Sequence, residues 1–202
     1  MIDQLLREAA EAAPELPFLL SPRSRLSYAE ALAECERVAA ALQALPDEAL
    51  ACQLPDSVAL VTLLLGAAMA GKPLLPLGTH LDPEVVATLT ASLGINTVLN
   101  EPPAAGTSSA ACCPAPLWLL TSGTAGPPKR VSYDWDDLAA QVPRTGTTID
   151  RRWLLAYRLS HFAGIQMLTH VLVNRQTLVI PTSDAVADAI DAARRFGVTH
   201  LS

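Results

Sequence analysis

The residues Thr121-Ser122-Gly123-Thr124-Ala125-Gly126-Pro127-Pro128-Lys129 gather hydroxyls, glycines and a lysine in a chain otherwise rich in aliphatic side chains. They lie between the apolar run Leu117-Trp118-Leu119-Leu120 and Arg130-Val131-Ser132-Tyr133, so the expected structure is a loop joining two short extended segments. Gly123 and Gly126 allow backbone conformations closed to other residues. The hydroxyls of Thr121, Ser122 and Thr124, with neighbouring N–H groups, can converge on phosphate oxygens, and Lys129 adds a compact positive charge. Such a loop suits an anion, and the ligand it implies is the triphosphate of ATP. It is not a Walker A loop, because Gly-Lys-Ser/Thr is absent and two prolines separate Gly126 from Lys129. Lysine occurs only at positions 72 and 129, against twelve arginines, so a lysine at the end of this loop departs from the chain's habit.

The elements that must hold the loop are read from periodicity. Apolar positions Ile2, Leu5, Leu6 and Ala9 predict a helix to Ala12, ended by Pro14 and Pro17. Phe18-Leu19-Leu20 and Leu26-Ser27 predict two short strands. Ser27 and Glu30 form a Ser-x-x-Glu capping box for a helix running to about Ala44. A strand at 49–54, an apolar helix from Ser57 to Ala70 closed by Gly71, and a strand at 73–77 follow. Asp82-Pro83 opens a helix ending at Gly94, and Ile95 to Leu99 is extended. Residues 100–116 form an Ala/Ser/Pro-rich surface connection that divides the chain into a first α/β subdomain, 1–116, and a second, 117–202, holding the phosphate loop. Within the second, Asp134 caps a short helix and Arg152 to Tyr157 is a strand, with Trp153 and Tyr157 sharing a core-packed face. A helix from His161 to Val173, a strand at 177–180, a helix from Ser183 to Phe196 and the start of a strand at 198–201 complete the order. Alternating helices and strands imply an α/β fold with parallel-rich sheets covered by helices. The break-off inside a strand is expected of a truncated domain.

Composition narrows the function. Half of the 202 residues are apolar and 17% are charged, which excludes a disordered chain. A net charge of −6, with arginines paired only at Arg151-Arg152 and Arg194-Arg195, argues against nucleic acid. The apolar window from Val58 to Gly71 is too short for a bilayer, and the N-terminus has no secretory pattern, so a cytoplasmic protein is expected. Cys35, Cys52, Cys112 and Cys113 read as reduced thiols. His161 and His170 lack metal-ligand spacing, and Asp134, Asp136 and Asp137 read as a helix N-terminus, so no metal site is assigned.

The loop resembles the signature Thr-Ser-Gly-Ser/Thr-Thr-Gly-x-Pro-Lys-Gly of the adenylate-forming superfamily, which includes acyl-CoA synthetases, peptide-synthetase adenylation domains and luciferases. Seven specified positions match: Thr121, Ser122, Gly123, Thr124, Gly126, Pro128 and Lys129. Leu26-Ser27-Tyr28-Ala29-Glu30 looks like the family's Leu-Thr-Tyr-x-Glu helix start. Leu54-Pro55-Asp56-Ser57 resembles its Leu-Pro-Asn-Ser turn, and Ala70-Gly71 with Pro76-Leu77 its Ala-Gly-x-x-x-x-Pro-Leu stretch. His161-Phe162-Ala163-Gly164 is similar to its His-x-x-Gly element. Ala125 and Arg130 depart from the signature, replacing a hydroxyl residue and a glycine.

The resemblance implies an N-terminal portion of a carboxylate-activating enzyme. In the family a carboxylic acid attacks the α-phosphate of ATP, with Mg²⁺ sharing the charge, and a thiol of CoA or of a carrier protein's phosphopantetheine then displaces AMP. Thr121, Ser122, Gly123, Thr124, Gly126 and Lys129 would grip phosphates, and His161, Phe162 and Gly164 would border the acyl pocket. The family's later elements for adenine, ribose and the catalytic lysine are not in this sequence, so no complete catalytic set is expected and the chain should need the remainder of the enzyme. The alternative is a degenerate relative acting as a binding module.

Overall fold

The computed structural model describes residues 2–104, 115–121, 128–145 and 150–201. The chain opens with α1 (Ile2–Ala12), the antiparallel pair β1 (Pro17–Leu20) and β2 (Arg25–Ser27), and α2 (Tyr28–Gln43). Then come β3 (Leu50–Cys52), α3 (Val58–Met69), β4 (Leu74–Pro76), α4 (Pro83–Ser92) and β5 (Thr97–Leu99). The hairpin β6 (Leu117–Thr121) and β7 (Lys129–Tyr133) leads to α5 (Trp135–Ala140). The chain continues through β8 (Arg152–Leu154), α6 (Phe162–Val173), β9 (Thr177–Val179), α7 (Val186–Phe196) and β10 (His200–Leu201).

These strands form two sheets, ordered β5-β3-β4-β6-β7 and β10-β8-β9-β1-β2. Among the described residues only β1–β2 and β6–β7 pair antiparallel; the other ladders are parallel. Both sheets draw strands from each side of residue 116: β6 pairs with β4, and β1 with β9. The sheets therefore partition the chain differently from the expected 1–116 and 117–202 division.

Alternating side chains sort into three apolar layers, as the period of two requires. Leu50, Leu74, Leu117 and Leu119 of the first sheet and Leu19 and Leu178 of the second face a shared core with α1, α2, α3 and α6. Ala51, Leu75, Trp118 and Leu120 face the opposite way onto α4, while Leu20, Leu154 and Val179 face α7. The order is helix, sheet, helices, sheet, helix. The central layer explains α3, whose Leu60, Val61, Leu63, Leu64 and Leu65 are all buried because it has protein on every side. Each such side chain contributes about 1.5–3 kcal/mol of burial.

Local signals set the ends. The Ser27 hydroxyl accepts from the Glu30 N–H at 3.3 Å while the Glu30 carboxylate accepts from the Ser27 N–H at 2.7 Å, closing the expected capping box. Tyr28 is buried against Phe18 and donates its hydroxyl to the Gln176 carbonyl at 2.8 Å, tying α2 to the turn before β9. Lys72 donates to the carbonyls of Leu45 and Asp47, so the first of the two lysines is spent on closing the α2–β3 connection.

Two expected elements are shorter. β8 ends at Leu154 rather than Tyr157; the chain leaves the ladder there, and Tyr157 is 49% exposed instead of packed beside Trp153. α7 begins at Val186 rather than Ser183, because the Ser183 hydroxyl accepts from the Ala185 N–H and bonds the Asp188 carboxylate at 2.6 Å, forming a turn that precedes the helix.

A close approach in the central layer is at Gly66 of α3, where an added Cβ would lie 2.6 Å from Val38 Cγ1 and 3.0 Å from the Cys35 carbonyl oxygen. Gly66→Ala is expected to destabilise the fold by about 1–3 kcal/mol. Urea unfolding should show a lower midpoint at an unchanged slope.

Candidate functional site

The phosphate-loop candidates sit on the β6–β7 hairpin. Because β6 runs parallel to β4, with Leu117 beside Leu74, its last residue Thr121 reaches the edge of the sheet where the parallel strands finish. Thr121 is paired with Lys129, and its hydroxyl donates to the Lys129 carbonyl at 3.2 Å. Both are exposed. Thr121 and Lys129 share the strand face of Leu119, Val131 and Leu117, which is the face turned to the central helix layer. Ser122, Gly123, Thr124, Ala125 and Gly126 lie outside the described residues.

Arg130, the unusual residue after the lysine, faces the other way. Its guanidinium lies over the Trp118 ring, 4.0 Å from the centroid, on the α4 side of the hairpin. The cation–π contact holds its charge away from the surface that carries Lys129.

His161, Phe162 and Gly164 come together at the start of α6. His161 is the exposed N-cap, with an extended backbone and no side-chain capping bond. Phe162 packs on Tyr133 with ring centroids 5.0 Å apart, joining α6 to the hairpin at the end of β7 away from Lys129. Gly164 is buried, and a Cβ there would fall 2.2 Å from the Arg158 carbonyl oxygen and 2.9 Å from that of Tyr157. Its role is to let the preceding loop cross the helix.

That loop walls a cavity of about 660 Å³ at the carboxyl ends of the strands of both sheets. Leu54 and Leu77 follow β3 and β4, Tyr157 and Pro181 follow β8 and β9, and Val186 and Ile190 of α7 complete an aliphatic lining. Crevices at the carboxyl ends of parallel strands are the usual ligand sites of α/β folds. A second cavity of about 670 Å³ lies on the far side of a wall shared with the first and made by Pro55, Asp56, Pro181 and Thr182.

The first cavity also contains a polar cluster that sequence reasoning missed. Asp56 Oδ1 accepts the Leu159 N–H at 2.9 Å. Arg158 pairs with the Asp184 carboxylate and bonds His80 Nδ1 at 2.7 Å. Arginine has no acceptor, so His80 Nδ1 is the acceptor of this bond. Burial pushes the Asp56 carboxyl above the usual carboxylate range, and Asp184 adds to this, while the Leu159 N–H, Arg158 and His161 oppose it. Four loops supply these groups, so spacing along the chain carries no signal of the cluster; the only hint is that each loop directly follows a strand.

Elsewhere the polar residues are structural. Trp153 donates to Gln176 Oε1 at 2.6 Å and packs between His170 and His200, and burial lowers the His170 pKa. The Asp134 carboxylate accepts from the Asp136 N–H at 2.7 Å as the cap of α5. Among the described residues no three His, Cys, Asp or Glu side chains are placed to hold a metal, and no helix is long and apolar enough to cross a membrane. Cys35 and Cys52 are buried with their thiols pushed up, Cys52 to about 12; Cys112 and Cys113 lie outside the described residues.

Comparison with known proteins agrees with this architecture. The family described as AMP-binding enzyme matches residues 6–117, ending just before the phosphate-loop candidates. The 2-succinylbenzoate–CoA ligase of Bacillus subtilis (strain 168) is 30% identical over 88 residues, 42% of this chain and 18% of that protein. The inhibitor-bound N-terminal domain of FACL13 from Mycobacterium tuberculosis superposes with a TM-score of 0.82 at 22% identity, over 99% of this chain and 62% of that one. The Bacillus subtilis o-succinylbenzoate CoA synthetase in complex with its acyl-adenylate intermediate gives 0.81 at 20% identity, over 98% of this chain and 60% of that one. The chain thus spans less than two thirds of the length of each of these relatives. With a family match through more than half its length and the same fold along nearly all of it, the chain belongs to the AMP-binding enzyme family.

Proposed function

We propose that this chain is the phosphate-gripping and acid-binding part of an ATP-dependent carboxylate-activating ligase, acting together with further segments of such an enzyme. The observation that carries the proposal is the pairing of exposed Thr121 and Lys129 at the carboxyl edge of the first sheet, on the face turned toward the central helix layer. The donor set fits a triphosphate: a lysine, a hydroxyl and the glycine- and hydroxyl-bearing residues between them. Lys129 would supply a point charge to the phosphates, and the hairpin would fix its position relative to the acid. Mg²⁺ bound with the nucleotide would neutralise part of the same charge.

The chemistry needs little else from these residues. A carboxylic acid is already ionised at neutral pH and can attack the α-phosphate directly, releasing pyrophosphate and leaving an acyl-adenylate. The acceptor would then be the thiol of CoA or of a carrier protein's phosphopantetheine. The Bacillus subtilis relative carrying its acyl-adenylate, and a fused adenylation–carrier didomain from Klebsiella oxytoca among the similar structures, support these two steps by analogy. The 660 Å³ cavity would hold the acid's tail, with Tyr157 and Arg158 in its wall and His161, Phe162 and Gly164 setting the position of that wall.

Two measurements test this. Isothermal titration should show Mg-ATP or pyrophosphate binding that Lys129→Ala weakens tenfold or more, matching the ~1.5–3 kcal/mol of a bond to a charged group. Arg130→Ala should change it less than twofold, because Arg130 faces Trp118; equal losses would refute the assignment. Gly164→Ala must displace the 157–158 backbone, and should weaken binding of a carboxylic acid at least fivefold while leaving pyrophosphate affinity intact.

A further inference from the structure

The wall of the acid cavity contains one acidic group, Asp56, that forms no salt bridge among the described residues. Arg158 is committed to Asp184 and His80. Asp56 uses Oδ1 for the Leu159 N–H, and its other oxygen has no protein partner among the described residues while Asp56 lines the cavity on both sides of the wall. Two carboxylates therefore face one guanidinium across this surface. We propose that Asp56 is a specificity-determining residue, selecting acids whose tail carries a cationic or neutral hydrogen-bond donor, such as an amino group, over acids with a second carboxylate.

This rests on reading the cavity as the acid pocket. An amide at position 56 would accept the same Leu159 N–H without placing a charge in a half-enclosed apolar setting. Burial opposes the ionised carboxyl, so the acid is retained against a cost that a bound cation would offset. A second carboxylate in the tail would instead meet Asp56 and Asp184 and find the Arg158 guanidinium already bonded, a built-in rejection as well as an attraction.

Three acids of one length separate the possibilities: hexanoate, 6-aminohexanoate and adipate, titrated calorimetrically into the whole chain at pH 7. The expected order is 6-aminohexanoate at least fivefold tighter than hexanoate, with adipate weakest. Asp56→Asn should bring the first ratio to within twofold while melting no lower than the unmodified chain at pH 7, since the raised carboxyl pKa means the ionised form contributes no stability there and the amide keeps the bond. Adipate binding as tightly as 6-aminohexanoate to the unmodified chain, or a ratio preserved in Asp56→Asn, overturns the inference while hexanoate binding leaves the acid pocket standing. Failure of all three acids to bind overturns the acid pocket and this inference with it.

Discussion

The structure depends on the apolar helix layer trapped between its two sheets. α3 is buried on every face because one sheet packs on each side of the layer it shares with α1, α2 and α6. This burial holds two sheets of mostly parallel strands so that the carboxyl ends of β3 and β4 in one and of β8 and β9 in the other border a common cavity. A parallel strand cannot return by a tight turn, so its carboxyl end carries a loop that leads into a helix. Four such loops meet here, and they bring their side chains to one edge.

The polar contacts at that edge tie loops together, two of them across the sheets and the Arg158–Asp184 pair within the second sheet. Asp56 after β3 holds Leu159 after β8, and Arg158 reaches His80 after β4 and Asp184 after β9. Each tie joins loops that the helix layer alone leaves separate. The same contacts decide the charge of the cavity wall, so the geometry and the electrostatics of the site have one origin. Arg130 shows the converse: a cation one strand position from the expected phosphate grip is removed from it by the alternation of a β-strand and by Trp118.

Much of the local structure was legible from sequence because its causes are local. The Ser27/Glu30 capping box, the apolar helix that follows Ser57 and the extended run from Leu117 to Leu120 all appear where short-range chemistry puts them. The pairing of β1 with β9 was not legible, because a three- or four-residue strand has no pattern that names a partner some 160 positions away. The hairpin bearing Lys129 was found from residue types at fixed spacing. Asp56, His80, Arg158 and Asp184 were not, because only the fold makes neighbours of them. The end of β8 at Leu154 falls inside an apolar run that continues to Ala156, and the start of α7 is set by the side-chain bonding of Ser183 just before it.

The central claim is that phosphate and acid meet at one edge, where the strands of both sheets end. At 202 residues the chain suits amide-resolved NMR, and the direct measurement is a titration with Mg-ATP and a carboxylic acid together. The account predicts shifts at Thr121 and Lys129 from the nucleotide and at Asp56 and at Tyr157 to Leu159 from the acid, with the amides where strands begin, such as Leu50, Leu74 and Thr177, unmoved. Shifts concentrated at those strand beginnings, or nucleotide shifts that bypass Thr121 and Lys129, would contradict it.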